Sequence, residues 1–419
     1  MKIKRIAAAE MLDSRGTPTV ECEIILGDNS TASAMIPSGM STGSHEALEK
    51  RDGGRRFMGK GVLAAVKNIN NKIAPKLIGR NPSNQSEIDR LMIELDGTEN
   101  KSNLGANAIL AVSLASARAG AHSQRQELFQ HISKLAKRKI AMPVPFANII
   151  NGGLHAGGSL KIQEFMIAPT GARSFSEAVV MVAETYHALK ADLRKKFGNS
   201  SVNVGDEGGF APPIENTAGA LDMICDAIDE LGYSRRILPA IDAAASEFFK
   251  DGKYSVDGKG RSPGEMVDFY SDLAKKYKLV SIEDPFSEDD WDGFSELNRK
   301  FNGKVQIVTD DLTVTNPIRL QAAIGKKCGN CLLLKVNQIG TLSESISAAG
   351  LSFRSKWGIM VSHRSGETED PFIADLAVGL GCRQIKLGAP ARGERTAKYN
   401  RLLRIEGLLG KKAAYGWIR

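Results

Sequence analysis

Cysteine is scarce and scattered in this chain. Cys22, Cys225, Cys328, Cys331 and Cys382 form an odd set without paired spacing, which argues against a disulfide framework. Cys328-Gly-Asn-Cys331 has the CxxC spacing, yet no second Cys or His pair stands nearby, so it reads as two small residues entering a strand. Aromatic residues are only 6% of the chain, and none interleave with basic charge as nucleic-acid modules require. No apolar run approaches membrane-spanning length. Residues 106–117 come nearest, but Asn107, Ser113 and Ser116 interrupt them, so they read as a small-residue packing helix with no membrane role. The basic start, Met1-Lys2-Ile3-Lys4-Arg5, is followed by no apolar segment. No signal peptide is expected, and cytoplasmic residence is the default.

Acidic charge is in deficit, with 48 Asp and Glu against 56 Lys and Arg. The excess crowds residues 50–80, where nine Lys or Arg face one Asp, and residues 134–139 add four more. Without a recognisable RNA or DNA module, a nucleic-acid partner is not expected. A solvated basic face that attracts anionic metabolites is the simpler reading.

What remains is ordinary for a globular α/β protein: 42% hydrophobic, 25% charged and 42 glycines for loops. Residues 1–130 read as a smaller α+β domain. Segments 3–9, 19–25 and 31–36 alternate as strands of an antiparallel meander, with turns at Ser14-Arg-Gly-Thr-Pro18 and Asp28-Asn-Ser30. Helical spacing follows over 62–78, 85–95 and 107–121. Met142-Pro-Val-Pro145 marks a boundary that helices cannot cross. Residues 140–419 form the second unit.

That unit has a rhythm. Apolar runs end repeatedly on a residue able to do chemistry: 238–241 at Asp242, 279–282 at Glu283, 305–308 just before Asp310, 331–334 at Lys335, 358–362 at His363 and 384–385 at Lys386. Successive members lie 23 to 41 residues apart, room for a strand, a return helix and two loops. This predicts a (β/α) barrel, whose active site lies at the carboxyl ends of its strands. Three carboxylates in one barrel mouth repel one another unless a cation lies among them, and an all-oxygen set suits Mg²⁺; the alternative is that each pairs with a lysine or a helix N-terminus. Lys335 sits in Leu332-Leu-Leu-Lys-Val336, a run otherwise apolar. Burial beside cations predicts a depressed pKa and a usable base. Arg364 and Ser365 have the chemistry of a phosphate grip. Glu207, in the glycine-rich turn after 202–204, and Glu164, next to Gln163, would keep a proton available if both faced the pocket. His155 is ambiguous by itself, and the small-residue loop 38–43 could close over an anion. Gly54-Arg-Arg-Phe-Met-Gly-Lys60 imitates a P-loop, but Gly61 replaces the metal-binding hydroxyl and no strand precedes it.

Together these segments resemble the enolase family from end to end. The resemblance runs from Asp13-Ser-Arg-Gly16 through 38–43 to Gly388-Ala-Pro-Ala-Arg392. Its most specific stretches are Val204-Gly-Asp-Glu-Gly-Gly-Phe210, Ser281-Ile-Glu-Asp-Pro-Phe286, Leu332-Leu-Leu-Lys-Val-Asn-Gln338 and Ser362-His-Arg-Ser-Gly-Glu-Thr-Glu-Asp370. It implies an α+β N-terminal domain and an eight-stranded α/β barrel whose second strand runs antiparallel. It implies reversible Mg²⁺-dependent dehydration of 2-phosphoglycerate to phosphoenolpyruvate in glycolysis and gluconeogenesis. Asp242, Glu283 and Asp310 would hold one Mg²⁺ and Ser41 would help hold a second. Lys335 would take the C2 proton and Glu207 would protonate the leaving hydroxyl, with Glu164 and His155 beside it. Arg364 and Ser365 would grip the phosphate and Lys386 the carboxylate, while Gln163 and His363 complete the substrate-binding set. Met40, Leu154, Gly158 and Leu387 depart from the usual family residues. The resemblance also implies a homo-oligomer, a dimer or an octamer. Competing readings are an acid-sugar dehydratase of the same superfamily, or an RNA-associated scaffold role for the 50–80 patch.

Overall fold

The computed structural model describes residues 1–39, 43–156 and 159–417. Met40, Ser41 and Gly158, and the side chains of Leu154 and His155, lie outside the described residues, so the roles expected of Ser41 and His155 have no structural account here.

The N-terminal domain is a three-stranded antiparallel meander of β1 (Ile3–Leu12), β2 (Pro18–Leu26) and β3 (Thr31–Met35). Alternation in β2 buries Val20, Cys22, Ile24 and Leu26 on one face. Helix α1 (Gln85–Asp96) precedes α2 (Ala106–Ser123), the small-residue helix, which packs on β2 and β3 and is buried along nearly its whole length. The helix expected over 62–78 is broken: a π turn, Ile69–Ile73, separates Leu63–Asn68 from Ala74–Leu77. Pro75 has no N–H for the carbonyl four residues back, and a wider turn accommodates it. Helix α3 (Leu128–Ala136), which the periodicity did not flag, leads into the barrel.

Eight strands close the barrel: β4 (Val144–Asn151), β5 (Glu164–Ala168), β6 (Leu238–Asp242), β7 (Ser281–Glu283), β8 (Gln306–Thr309), β9 (Cys331–Leu334), β10 (Gly358–Ser362) and β11 (Gln384–Lys386). Parallel pairing of β11 with β4, Lys386 opposite Phe146, completes the ring. Helices return the chain between strands from β6 onward, among them Pro263–Tyr277, Trp291–Phe301, Pro317–Lys326 and Leu342–Arg354. Alternate residues point inward and fill the interior, including Val144, Phe146, Met166, Leu333 and Met360. Across this interior, Gln306 and Gln384 exchange amide hydrogen bonds of 2.8 and 3.0 Å.

One strand runs the other way. β5 is antiparallel to both β4 and β6, the reversal that the family resemblance implied. A dozen or so residues of loop suffice for an antiparallel return, where a parallel one needs a full crossover. Glu164 therefore begins its strand yet lies opposite Asn151 and Asp242, which end theirs. A residue at the start of a strand thus joins residues at the ends of the others.

Candidate active site

The strand ends converge on one pocket. Gln163, Glu164, Glu207, Asp242, Asp310, Lys335, His363, Arg364, Ser365 and Lys386 line it, with Ala244, Asp284, Asp311 and Ser362. Glu283 lies beside it, opposite Asp242 in the β6–β7 register and also opposite Val308 on β8.

The carboxylates are held by the two lysines. The Lys386 ammonium lies 2.7 Å from Asp242 Oδ2, 2.8 Å from Glu283 Oε1 and 3.1 Å from Glu164 Oε1. Lys335 pairs with Asp310, whose other oxygen accepts a 2.8 Å hydrogen bond from Gln338. Burial pushes the Asp310 carboxyl up, but Lys335, Arg364 and Lys386 outweigh it and hold it below the usual range. Burial and the charge of Asp242 push the Glu283 carboxyl well up.

The expectation for Lys335 needs correction. Burial does lower its pKa, and Arg364 and Lys386 add to that, but the charges of Asp310 and Glu283 prevail and the net shift is upward. A carboxylate in direct contact outweighs cations farther off. Before the glycine-rich turn, Asn199–Val202 forms a short 3-10 turn, and Val204 makes an isolated bridge to Phe210.

The glycine-rich turn aims Glu207 inward. The N–H of Gly205 donates to Gly209 at 2.9 Å, Tyr186 Oη donates to the Gly208 carbonyl at 2.8 Å, and the Ala389 N–H donates to the Glu207 carbonyl at 2.9 Å. Glu207 Oε2 accepts from Asn148 Nδ2 at 3.0 Å and lies 3.4 Å from His363 Nε2. Burial and the neighbouring charge of Glu207 raise the Glu164 carboxyl well above the usual range.

Arg364 is forked onto Glu46, with both arms at 3.0 Å, and also donates to Asn337 at 3.0 Å. Ser365 receives a 3.4 Å hydrogen bond from Arg15 of the N-terminal domain. Ser38 exchanges backbone hydrogen bonds with Gly366, 2.8 and 2.9 Å. The described end of the 38–43 loop is thereby pinned beside the Arg364–Ser365 grip. Leu387, one of the departures, is fully buried behind Lys386.

Several contributors escaped the sequence reading. Asp284 accepts from the N–H of Asp310 at 2.8 Å and of Asp311 at 2.9 Å. It thereby fixes the backbone of one expected ligand. Its φ of 40° turns it inward where strand alternation would point it out. The acidic doublets 283–284 and 310–311 were the signal. Asn148, a polar residue within a buried strand, was another. Glu46 and Arg395 gave none.

A barrel mouth carrying buried carboxylates, the buried Lys386, the half-buried Lys335 and a buried arginine beside a serine has the chemistry of a barrel enzyme that moves protons on an anionic substrate. The comparisons with known proteins agree. Residues 3–132 match the family model described as the enolase N-terminal domain, and residues 139–418 the one described as the enolase C-terminal TIM barrel domain. The chain is 56% identical to the enolase of Methanocaldococcus jannaschii over 409 residues, 98% of this chain and 96% of that protein. It is also 56% identical to the Thermococcus gammatolerans enolase over 418 residues, and 55% identical to that of Pyrococcus furiosus, each covering 99% of this chain and 96% of the relative. The chain belongs to the enolase family and carries the family's hydro-lyase activity. The dehydratase and scaffold alternatives are not favoured.

Proposed function

We propose that this activity is the reversible dehydration of 2-phosphoglycerate to phosphoenolpyruvate, in glycolysis and gluconeogenesis, with Lys335 as base and Glu207 as acid. The observation that supports it is a single pocket lined by Lys335 with Asp310, by Glu164, Glu207 and His363, and by Lys386. A C–H beside a carboxylate is a very weak acid, because its loss adds a second negative charge. The hydroxide then leaving needs a proton. A base and an acid in one water-poor pocket meet both needs.

Asp242, Glu283 and Asp310 would hold one Mg²⁺, and Ser41 would help hold a second. The residues fit: the donors are all oxygen, and Glu283 Oε2 is buried with no hydrogen-bond partner. Bound Mg²⁺ supplies positive charge against the substrate carboxylate and the charge that builds on it. Lys335 serves as the base once its ammonium has lost a proton. The charge of Asp310 opposes that loss, and it would be offset where Asp310 holds a metal. Glu164, its pKa raised by burial and by the charge of Glu207, stands on the acid side, and Lys386 faces the substrate carboxylate. Gln163 and His363 line the pocket with Glu207, and His155 keeps the role that the family resemblance gives it.

Arg364 and Ser365 would take the phosphate. Outside them lies a cleft of about 1000 Å³ lined by Arg15, Arg51, Lys60 and Arg392 and also by Glu46, Glu49 and Asp206. Residues 1–130 cap this mouth and 140–419 carry the chemistry. A homo-oligomer, dimer or octamer, and a cytoplasmic residence go with this reading; no helix among the described residues is long and apolar enough to cross a membrane.

The test is absorbance-monitored phosphoenolpyruvate formation together with exchange of the C2 proton into deuterated water. Lys335→Ala should lose both. Glu207→Gln should keep exchange while dehydration falls by roughly 10²–10⁴, the scale of a positioned acid. Exchange at the parent rate in Lys335→Ala would overturn the assignment.

A further inference from the structure

Arg395 lies in the helix Gly393–Leu409, a segment so charged that it reads as a solvated face, yet its side chain is fully buried. Its guanidinium donates to the carbonyls of Arg364 at 2.7 Å, Ser365 at 2.7 Å and Asp206 at 3.0 Å. It also meets His363 Nδ1. The contact with the imidazole has a chemical consequence. Every guanidinium nitrogen is a donor and none accepts, so Nδ1 must present its lone pair. Burial, reinforced by the charge of Arg395, pushes the His363 pKa down to about 4, so the ring is neutral. A neutral ring that accepts at Nδ1 carries its hydrogen on Nε2, and Nε2 lies 3.4 Å from Glu207 Oε2.

We infer that Arg395 is a positioning residue for Glu207: it holds His363 in the Nε2–H tautomer and, with Asn148, confines the transferable proton of Glu207 to Oε1. The inference rests on the reading of Glu207 as the acid. Oε2 faces two hydrogens, one from Asn148 Nδ2 at 3.0 Å and one from His363. A third hydrogen there would meet both, so Oε1 is the oxygen that carries the acid proton. The opposite tautomer would let Oε2 hold the proton and donate it to the ring, where it is useless to a leaving hydroxide. The 3.4 Å separation is long for a hydrogen bond, as catalytic contacts are before substrate tightens them.

Packing supports the same arrangement. Gly388, at φ 78°, sits among the three parties. A Cβ there would lie 2.7 Å from the Glu207 carbonyl, 3.0 Å from Arg395 Cδ and 3.1 Å from His363 Cε1. The ring is also tied by its own backbone, its N–H donating to the Lys386 carbonyl at 3.0 Å. The acid, the imidazole and the guanidinium are thus one close-packed unit.

The test is ¹⁵N-histidine NMR on the full chain, whose six histidines are resolvable, with His363→Gln for assignment. The parent should show His363 with a bare Nδ1 and a protonated Nε2. Arg395→Met, which removes the donors, should shift His363 toward the other tautomer. Its dehydration should fall about tenfold or more, a share of the roughly 10²–10⁴ carried by a positioned acid, with C2 exchange held within about twofold. Arg395→Lys, which restores one donor, should recover the tautomer and much of the rate. A parent spectrum with the hydrogen on Nδ1 overturns the inference even if Arg395→Met does not fold. So does equal loss of exchange and dehydration in Arg395→Met with the tautomer unchanged, which marks a merely structural residue. Failure of Glu207 itself as the acid is seen separately, as parent-rate dehydration in Glu207→Gln.

Discussion

Glu46 and Arg364 form a two-armed ion pair, 3.0 Å on each arm, between the N-terminal domain and the barrel. Both side chains are buried, and the pair occupies the edge of the guanidinium that a phosphate would take in the same forked geometry. If Arg364 takes the phosphate as proposed, Glu46 and the phosphate would compete for one fork. Glu46→Gln should lower the stability of the ligand-free protein by about 1–3 kcal/mol, since a buried cation loses its counter-charge. It should also enlarge the thermal shift produced by the phosphorylated substrate. Thermal melts with and without substrate read both; a smaller ligand shift in the variant would show that Glu46 serves only to orient Arg364.

Metal removal tests the carboxylate set. Chelation should abolish turnover and added Mg²⁺ should restore it. Calorimetric titration should give weaker Mg²⁺ binding in Asp310→Asn and Glu283→Gln than in the parent, because each removes one anionic ligand. Full turnover in thoroughly chelated protein would sink the metal assignment.

The Gln306–Gln384 pair predicts a cost inside the barrel. Gln384→Leu leaves the buried Gln306 Oε1 without its donor and Nε2 with Ser281 Oγ at 3.1 Å, which should cost roughly 1–3 kcal/mol in denaturant unfolding. The double change to Leu at both positions should cost less than the sum of the singles, because no orphaned amide remains. Additive losses would mean that the two amides do not support each other.

Acid stability should depend on Asp370. Burial raises its pKa, but Arg118, with the N–H groups of Met35 and Phe372, outweighs burial and brings it below the ordinary 3.8. A group depressed in the folded state contributes stability that is fully present above its unfolded pKa and is lost as pH falls through the folded one. Stability should therefore drop below about pH 4 in the parent. Asp370→Asn should be less stable near neutral pH and show a shallower acid limb. An unchanged acid limb in urea unfolding across pH 2–5 would remove Asp370 from the account.

Much of the site was legible because barrels place chemistry where apolar runs stop. The runs ending at Asp242, Glu283, Lys335, His363 and Lys386 are strands in the structure, and all but Glu283 line the pocket directly. Alternation likewise located β2 and β3, since a half-buried strand shows a period of two. Local pattern reaches no further than the element that carries it. It misjudged 62–78, where Pro75 forces a wider turn.

What the sequence alone determined, then, is the order of strands and the kind of group at each strand end, both set by neighbours along the chain. Tertiary structure decided everything that depends on neighbours across it. Strand direction is one such property: only the reversed β5 brings Glu164, a residue at the start of its strand, beside Asp242. Charge state is another. Lys335 is pulled up by Asp310, which stands 25 residues away in sequence but in direct contact. Burial of Arg395 is the third. Its helix is polar in sequence, and the carbonyls of 206, 364 and 365, with His363 and the Glu394 carboxylate 3.5 Å from Nε, make the interior a place where a guanidinium can rest. A buried cation is tolerated where distant segments supply its acceptors, and no local pattern records which segments those are.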